Sequence, residues 1–216
     1  MNGIDDKMAN GSETRLKIRD EVAALKRERT ISAAADLFYE RGYDNTTLDE
    51  VAERLGVTKP FIYSNFGSKA ELLAEICERG VRAAYDELEF ALAQGLPPGP
   101  TLLLFARRYV IAILGAQKNI AIYTREEKNL EPAEARRIGE LRRTFLGKLI
   151  GLLRQGEQAG EFRVADPTMA ALAIVGAVSW STFWFRTDGR LAVPEIADVM
   201  TGYIMGMAGA SNPPSS

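Results

Sequence analysis

The helical spacing of apolar residues is the feature that most constrains how this chain can fold. From about Asp20 the pattern is helical, and the apolar side chains of Ile31, Ala34, Ala35 and Phe38 recur at spacings of three and four. No run of valine, isoleucine or threonine shows the alternation and bounding turns that paired strands need. The sequence therefore predicts an all-α protein.

Two short helices follow this first helix, and caps mark their ends. Thr47 and Glu50 have the spacing of a capping box, and Gly56 ends the helix that begins there. Thr58 caps the next short helix, which ends at Gly67. Two short helices joined by a glycine turn and packed on a longer helix are typical of a helix-turn-helix unit.

The remainder of the chain predicts a larger helical domain. Pro132, Pro167 and Pro194 each stand at a plausible helix start, because the first helical turn tolerates a missing N–H. The predicted divisions are a flexible arm at 1–19, the helix-turn-helix domain at 20–67, a helical ligand-binding and dimerisation domain at 68–210 whose connecting helix is 68–94, and a tail at 211–216.

Composition excludes several kinds of site. The sequence contains no histidine, so His-bearing zinc sites, Ser-His-Asp triads and histidine pH switches are impossible. There is no glycine-rich phosphate loop or nucleophile motif, and the adjacent Glu126 and Glu127 would not face one site on a helix. We therefore expect no enzyme activity, no metal and no cofactor.

The same features indicate a cytoplasmic location. Cys77 is the single cysteine, which suits a reducing compartment, and residues 1–20 lack the apolar core of a secretory signal. The uncharged stretch Pro167–Phe185 approaches the length of a membrane span. Its serines, threonines and many alanines favour a helix buried inside a protein or a dimer, so no membrane partner is expected.

Two segments of the sequence resemble one known family. The run GVTKPFIYSNFGSKAELL at 56–73 and the run AADLFYERGYDNTT at 34–47 are similar to the TetR family of bacterial transcriptional repressors. The resemblance covers roughly the first third of the chain. It implies a DNA-binding repressor that acts as a homodimer, with a ligand domain in the second part, and two-fold proteins read pseudo-palindromic operators.

The resemblance implies roles for residues of the two short helices. Thr47 and its helix start would anchor a phosphate, Tyr63 and Lys69 would grip backbone phosphates, and Asn65 stands where the family most often has histidine. Phe61 either lies on a thymine methyl or packs under the first helix. With Ile62 and Phe66 pointing inward, the predicted DNA-binding residues are Thr47, Thr58, Lys59, Pro60, Phe61, Tyr63, Ser64, Asn65 and Lys69.

Charge limits where DNA can be bound. The formal net charge is −2, so a DNA contact must come from a local surface. Residues 14–30 carry six basic and three acidic side chains, which favours a DNA-flanking role for this stretch. The alternative is a solvated helix face.

Aromatic and arginine side chains of the second domain suggest a ligand site. Trp180, Phe183 and Trp184 are the strongest candidates, because dense aromatic side chains suit flat apolar ligands. For any single residue, ordinary core packing is the alternative. The predicted ligand-binding residues are Phe105, Tyr109, Tyr123, Phe145, Leu149, Trp180, Phe183 and Trp184, with Arg142 and Arg186 as candidates for an anionic group.

The segment from Arg125 through Arg142 and Arg143 to Trp180 and Trp184 resembles the TetR subgroup that senses acyl-coenzyme A thioesters. This resemblance implies a small hydrophobic effector that is an acyl-CoA. The alternative is an uncharged drug-like or aromatic effector, with an efflux or degradation gene as the target. A third alternative is a DNA-binding protein that has no effector. In that case the aromatic cluster would serve only for core packing.

The dimer is expected to form through the last two helices, Pro167–Phe185 and Pro194–Met207. Small residues such as Gly176 and Gly202 allow close approach of helices there. The helix from Ser68 to about Leu92 joins the two predicted domains. We therefore predict that it transmits ligand binding to the DNA-reading helices.

Overall fold

The computed structural model describes the backbone of residues 5–210 and the side chains of residues 19–210. Within this range the secondary structure is helical and no strand is present, which confirms the all-α prediction. The helices are α1 (Asp5–Arg41), α2 (Leu48–Leu55), α3 (Lys59–Phe66), α4 (Lys69–Ala93), α5 (Pro98–Gly115), α6 (Gln117–Glu126), α7 (Pro132–Gln158), α8 (Pro167–Trp184) and α9 (Val193–Met207), with a 3-10 turn at Glu127–Asn129.

The start of α1 differs from the sequence prediction. The predicted flexible arm at 1–19 is helical from Asp5 onward, so α1 begins 15 residues before the expected start at Asp20. Lysine, methionine, alanine, glutamate and arginine, which favour helix, make up 7 of the 15 residues at 5–19. It has no apolar stripe, so a search based on apolar spacing missed it. The predicted tail at 211–216 lies outside the described residues.

The chain divides into two compact units, Met1–Leu73 and Ala74–Ser216. The division falls inside α4, whereas the sequence placed the boundary at 67/68, before this helix. The first turn of α4 belongs to the first unit, and its Leu72 and Leu73 are fully buried. The remainder of α4 belongs to the second unit.

Local capping explains the helices of the first unit. The Thr47 hydroxyl accepts a hydrogen bond from the Glu50 N–H over 3.2 Å, and the Glu50 carboxylate accepts one from the Thr47 N–H over 2.7 Å. This is the predicted capping box of α2. Gly56 ends α2 with a φ of 64°, a left-handed conformation that glycine adopts without strain. The buried side chains between α1, α2 and α3 include Ile31, Leu37, Phe38, Val51, Ile62 and Phe66.

Proline and aspartate set the helix starts in the second unit. Pro132, Pro167 and Pro194 each lie in the first turn of a helix, as predicted. The Asp166 carboxylate caps α8 by accepting from the N–H groups of Thr168 and Met169 over 2.8 and 3.2 Å. Helix α5 packs against α7, α8 and α9 and supplies the centre of the core.

The last turn of α7 requires a glycine. A Cβ on Gly156 would lie 2.0 Å from a ring carbon of Phe162, which is itself buried. The Phe162 ring therefore packs directly on the backbone of α7. This contact holds the segment before α8 against the second unit.

Helix α8 has the length and composition of a possible membrane span. Among the helices described, α8 alone is long and apolar enough to cross a membrane by itself. A second candidate span results only if α5 is counted together with the segment Gln117–Asn129, which is bent away from it by 73°. In the protomer, 28% of the α8 span is buried. Core helices of soluble proteins meet the same criterion, so the observation is weak evidence for a membrane.

Candidate functional site

The outward side of α3 matches the sequence prediction. Ile62 and Phe66 are buried against the first unit. Pro60 lies in the first turn of α3 and Thr58 precedes it, although the Thr58 side chain makes no capping hydrogen bond. The side chains exposed on this surface are those of Thr58, Lys59, Pro60, Tyr63, Ser64 and Asn65.

Several polar groups on this surface are bonded within the protein. The Ser64 hydroxyl and the Asn65 amide both donate to the Phe61 carbonyl, over 3.0 and 2.7 Å. The Lys59 ammonium donates to the Asp49 carboxylate. To contact DNA as predicted, each of these groups would have to exchange an internal partner for a DNA partner, and its contribution to affinity would be the difference between the two bonds.

Phe61 packs towards α1. Its ring is half-buried, and the Lys26 ammonium of α1 lies 5.5 Å from the ring centroid. The distance is within the range of a cation–π contact. The ring therefore lies beside the first helix, and a contact between its exposed part and a thymine methyl stays a prediction.

The start of α2 carries acidic side chains. Asp49 and Glu50 lie in its first turn, and the Thr47 N–H already donates to Glu50. This bond, together with the Thr47 hydroxyl, lowers the pKa of Glu50 below its usual value. A phosphate at this helix start has to displace the Glu50 carboxylate from Thr47. The phosphate contact of Thr47 stays a prediction.

Lys69 lies at the first position of α4. Its ammonium is 3.5 Å from the Asp44 carbonyl oxygen and 4.2 Å from the centroid of the Tyr43 ring. Both partners lie in the turn before α2. The contact holds a positive charge beside the helix-turn-helix unit, and the exposed phenol of Tyr63 lies on α3 of the same unit.

Arg27 of α1 is a residue that sequence reasoning did not single out. Its guanidinium donates to the Asn65 carbonyl over 3.1 Å and lies 4.7 Å from the centroid of the Phe66 ring. Carbonyls in the last turn of a helix lack intrahelical partners, so an arginine there both caps the helix and favours its dipole. The basic stretch at 14–30 was the available signal, but charge counting does not reveal which side chain turns towards α3.

Four of the predicted ligand residues form ordinary core. The rings of Phe105 and Tyr109 stack at 5.0 Å, and Phe145 lies 5.7 Å from Tyr109. Leu149 is fully buried among them. Burial raises the pKa of the Tyr109 phenol, which is also hydrogen-bonded to Ser179. In this structure these side chains pack on one another.

Tyr123 and Arg142 belong to a separate polar cluster. The Tyr123 hydroxyl donates to Glu127 over 2.9 Å, and the Arg142 guanidinium is 3.9 Å from the same carboxylate. Burial raises the pKa of Tyr123 to about 12, and its bond to Glu127 adds to the shift. The buried Cys77 thiol has a pKa of about 12, chiefly from burial and also from Glu126 and Glu127. Tyr123 and Arg142, both predicted ligand residues, therefore share Glu127 as a partner.

The aromatic cluster on α8 faces outward. Trp180, Phe183 and Trp184 are 64%, 54% and 49% exposed, so they do not line a cavity with the core aromatics as the sequence suggested. Helix α8 has apolar residues on all sides, and only one side packs on α5. The aromatic side chains lie on the side that remains exposed. We name the exposed apolar surface the α8–α9 face, formed by Met169, Leu172, Trp180, Phe183, Trp184, Val199, Tyr203 and Met207.

An open cavity of about 360 Å³ lies beside this face. Arg186 and Arg190 contribute its charged groups. Arg186 is paired with Asp188 over 3.1 Å, whereas Arg190 has no ion-pair partner within the described part of the chain. The apolar lining of the cavity comes from Trp184, Phe185, Leu191, Ile196, Val199, Met200 and Tyr203. Of the predicted ligand residues, it contains Trp184 and Arg186.

A helix-turn-helix unit followed by a larger all-α unit defines the class of DNA-binding transcriptional regulators. Residues 31–76 match the family described as bacterial regulatory proteins, tetR family, and residues 95–208 match the tetracyclin repressor-like C-terminal domain. The chain belongs to the TetR family of transcriptional regulators. Members of this family bind DNA and are not enzymes, which confirms both of those predictions.

Relatives of this chain include a transcriptional repressor and a fatty acid metabolism regulator. It is 27% identical over 190 residues to the transcriptional repressor KstR2 of Rhodococcus jostii, covering 87% of this chain and 93% of the relative. It is 26% identical to the fatty acid metabolism regulator protein of Bacillus subtilis, over 74% of this chain and 84% of the relative. The chain also resembles AibR in its crystal structure in complex with isovaleryl coenzyme A and operator DNA. The two chains are 26% identical in sequence, and the superposition has a TM-score of 0.72 and covers 84% of this chain and 97% of AibR.

Proposed function

We propose that this protein is a ligand-responsive repressor that binds a pseudo-palindromic operator as a homodimer and is released by a small hydrophobic effector. The observation that carries the proposal is the exposed α8–α9 face. A soluble protein rarely exposes so many large apolar side chains together unless another surface covers them. A second copy of the same face would cover them in a symmetric pair.

Small residues on this face support the homodimer through Pro167–Phe185 and Pro194–Met207. Gly176, Gly202 and Gly206 are exposed, and a Cβ built on any of them has no neighbouring atom within 4 Å. These positions leave room for the side chains of a facing helix. The proposed dimer removes the apolar surface of α8 from water, so it also suits the proposed cytoplasmic location.

For the effector we propose an acyl-CoA or a related anionic acyl compound. The cavity beside Trp184 has the size of a small ligand site, with apolar walls and the Arg190 guanidinium for an anionic group. AibR, which is similar to this chain, was crystallised with isovaleryl coenzyme A. An uncharged effector, with control of an efflux or degradation gene, is the competing proposal, since apolar walls accept such ligands as well.

Calorimetric titration with acyl-CoAs, coenzyme A and the free acids tests the effector class. Acyl-CoA binding should weaken in Arg190→Gln and in Trp184→Ala. Arg154→Gln removes an exposed arginine of α7 that does not line the cavity and serves as the control. An effector that binds equally well to wild type and Arg190→Gln supports the uncharged class. Equal binding to Trp184→Ala places the effector elsewhere.

Contacts of α4 suggest how effector binding reaches the DNA-binding unit. Asn119 of α6 donates to the Ile76 carbonyl of α4 over 3.1 Å, and Gly80 lies against the Asn119–Ile120 backbone. Because α4 begins in the first unit and continues in the second, a shift of α6 moves a helix that both units share. Release of operator tenfold needs about 1.4 kcal/mol of differential effector affinity.

Gel shifts with operator, with and without effector, test this route. Asn119→Ala should bind operator as wild type does and respond less to effector. An Asn119→Ala protein that is released at the wild-type effector concentration would exclude this contact from the switch. The control is Asn129→Ala, whose side chain bonds only locally to Glu126.

A further inference from the structure

Asp49 and Lys59 form an ion pair where α2 and α3 both begin. The Lys59 ammonium donates a hydrogen bond to the Asp49 carboxylate over 2.5 Å. Lys59 is the first residue of α3, and Asp49 lies in the first turn of α2. The two side chains remain 64% and 44% exposed, so the pair lies on the outward surface of the helix-turn-helix unit.

This pair differs from other ion pairs described in the unit. Arg41 with Glu50 and Arg54 with Glu40 join α1 to α2, Arg19 with Asp20 lies within α1, and none of these three involves α3. The Asp49–Lys59 pair holds a cation of α3 itself. The pKa of Lys59 is raised by its hydrogen bond to Asp49 and then by the charge of that carboxylate.

The carboxylate competes with DNA for the same ammonium group. Phosphate contacts supply most of the sequence-independent part of DNA affinity. A phosphate that contacts Lys59 has to displace Asp49 and then remain close to its negative charge. Both requirements oppose binding, and neither depends on the base sequence, because phosphates carry no sequence information.

We propose that Asp49 is an intramolecular competitor for DNA phosphate, which holds Lys59 in the free protein and lowers affinity for all DNA. The proposal rests on the DNA-binding role of the first unit. Exposed ion pairs are weak, so removal of the competitor should strengthen binding about threefold per half-site and about tenfold for a dimer on two half-sites. Because the effect is the same for every sequence, the ratio of operator affinity to non-specific affinity should stay unchanged.

The test compares Asp49→Asn with wild type by fluorescence anisotropy on a labelled duplex of arbitrary sequence, across a salt series. Asp49→Asn should bind more tightly. Its affinity should also fall more steeply with salt, by about one unit of slope per half-site, because wild type takes up a cation at the vacated Asp49. Asp49→Glu, which retains the charge, should behave much like wild type.

Two further variants separate competition from general charge and from structure. Glu53→Gln removes the same charge from the same helix without touching Lys59 and should leave the salt slope unchanged. In a Lys59→Gln background, Asp49→Asn should have little effect, because the ammonium for which it competes is gone. Circular dichroism and thermal melting establish that each variant is folded as wild type is.

Three results would overturn the proposal. They are an Asp49→Asn protein that binds no more tightly than wild type, an equal gain in the Lys59→Gln background, and an equal gain from Glu53→Gln. A wild-type protein that binds no duplex even at low salt would instead contradict the DNA-binding role on which the proposal rests. The two failures are therefore distinguishable in one set of titrations.

Discussion

The helix-turn-helix surface and the α8–α9 face are opposite in chemistry. On the first, Lys59 and Lys69 are already held by oxygen atoms of the same unit, from Asp49 and from the Asp44 backbone. On the second, the outward groups are large apolar side chains such as Trp180 and Tyr203. The polar groups of the helix-turn-helix surface can exchange one hydrogen-bond partner for another. The apolar side chains of the α8–α9 face are instead stabilised by removal from water.

This difference separates the two binding events physically. A phosphate that contacts Lys59 or Lys69 would replace an internal partner one for one, so we expect DNA affinity to depend on small differences between bonds and on salt. An apolar face gains from burial against any apolar surface, and salt at moderate concentration changes that gain little. We therefore expect dimerisation to persist across a salt series in which DNA binding is lost, and sedimentation beside anisotropy measures both.

The largest expected effect comes from a charge placed on the α8–α9 face. Leu172→Glu should weaken the dimer by at least about 100-fold, because each protomer would bury an unpaired carboxylate in the interface. Operator binding should fall with it. Sedimentation velocity at micromolar protein and gel shift on the same preparation measure the two consequences.

Leu103→Glu is the matched control for that change. Leu103 lies on α5, outside the α8–α9 face, and is 49% exposed, compared with 46% for Leu172. The control should remain a dimer and bind operator. If Leu103→Glu dissociates and Leu172→Glu does not, the dimer forms through another surface and the contrast between the two regions fails.

The next largest effect concerns Lys69 on the polar surface. Lys69→Ala should weaken binding to operator and to arbitrary duplex alike, by about tenfold for the dimer, and should flatten the salt slope by about one unit per half-site. Lys128→Ala, in the second unit, controls for the loss of one positive charge. An unchanged salt slope for Lys69→Ala would contradict its phosphate contact.

Local signals explain why the first unit was largely predictable. The capping box of Thr47 and Glu50, the glycine at position 56 and the inward pair Ile62 and Phe66 all depend on residues within a few positions of one another. Such signals are read directly from the sequence. What escaped was the contact between Arg27 and Asn65, since residues 38 positions apart meet only after the helices pack.

The second unit was less predictable because burial on a nearly uniform apolar helix has no sequence signature. On α8, Ile174 and Val178 are buried whereas Leu172 and Trp180 are exposed, although all four residue types are apolar. The sequence therefore predicted the helix, and the dimer segment stays a prediction. It could not separate core aromatics such as Tyr109 from surface aromatics, since the packing of α5 decides which side faces inward.

A smaller effect is expected from Arg27, which links α1 to the reading helix. Arg27→Lys keeps the positive charge and loses the planar group that bonds the Asn65 carbonyl and covers the Phe66 ring. Operator affinity should fall about fivefold through poorer placement of α3, while affinity for arbitrary duplex stays near wild type. Equal losses on both DNAs would show that Arg27 acts only through charge or folding.

The smallest effect concerns the capping box of α2 and its response to acid. Thr47→Ala should lower stability of the first unit by about 1 kcal/mol through loss of the cap. The Glu50 pKa is lowered in the folded protein, chiefly by the Thr47 N–H, so its contribution is present above the unfolded pKa and is lost as pH falls through the folded pKa. Glu50→Gln keeps an acceptor for the Thr47 N–H but cannot titrate. Hydrogen exchange of the α2 amides should therefore quicken on acidification more in wild type than in Glu50→Gln, after correction for intrinsic rates, whereas equal responses would place the acid-sensitive group elsewhere.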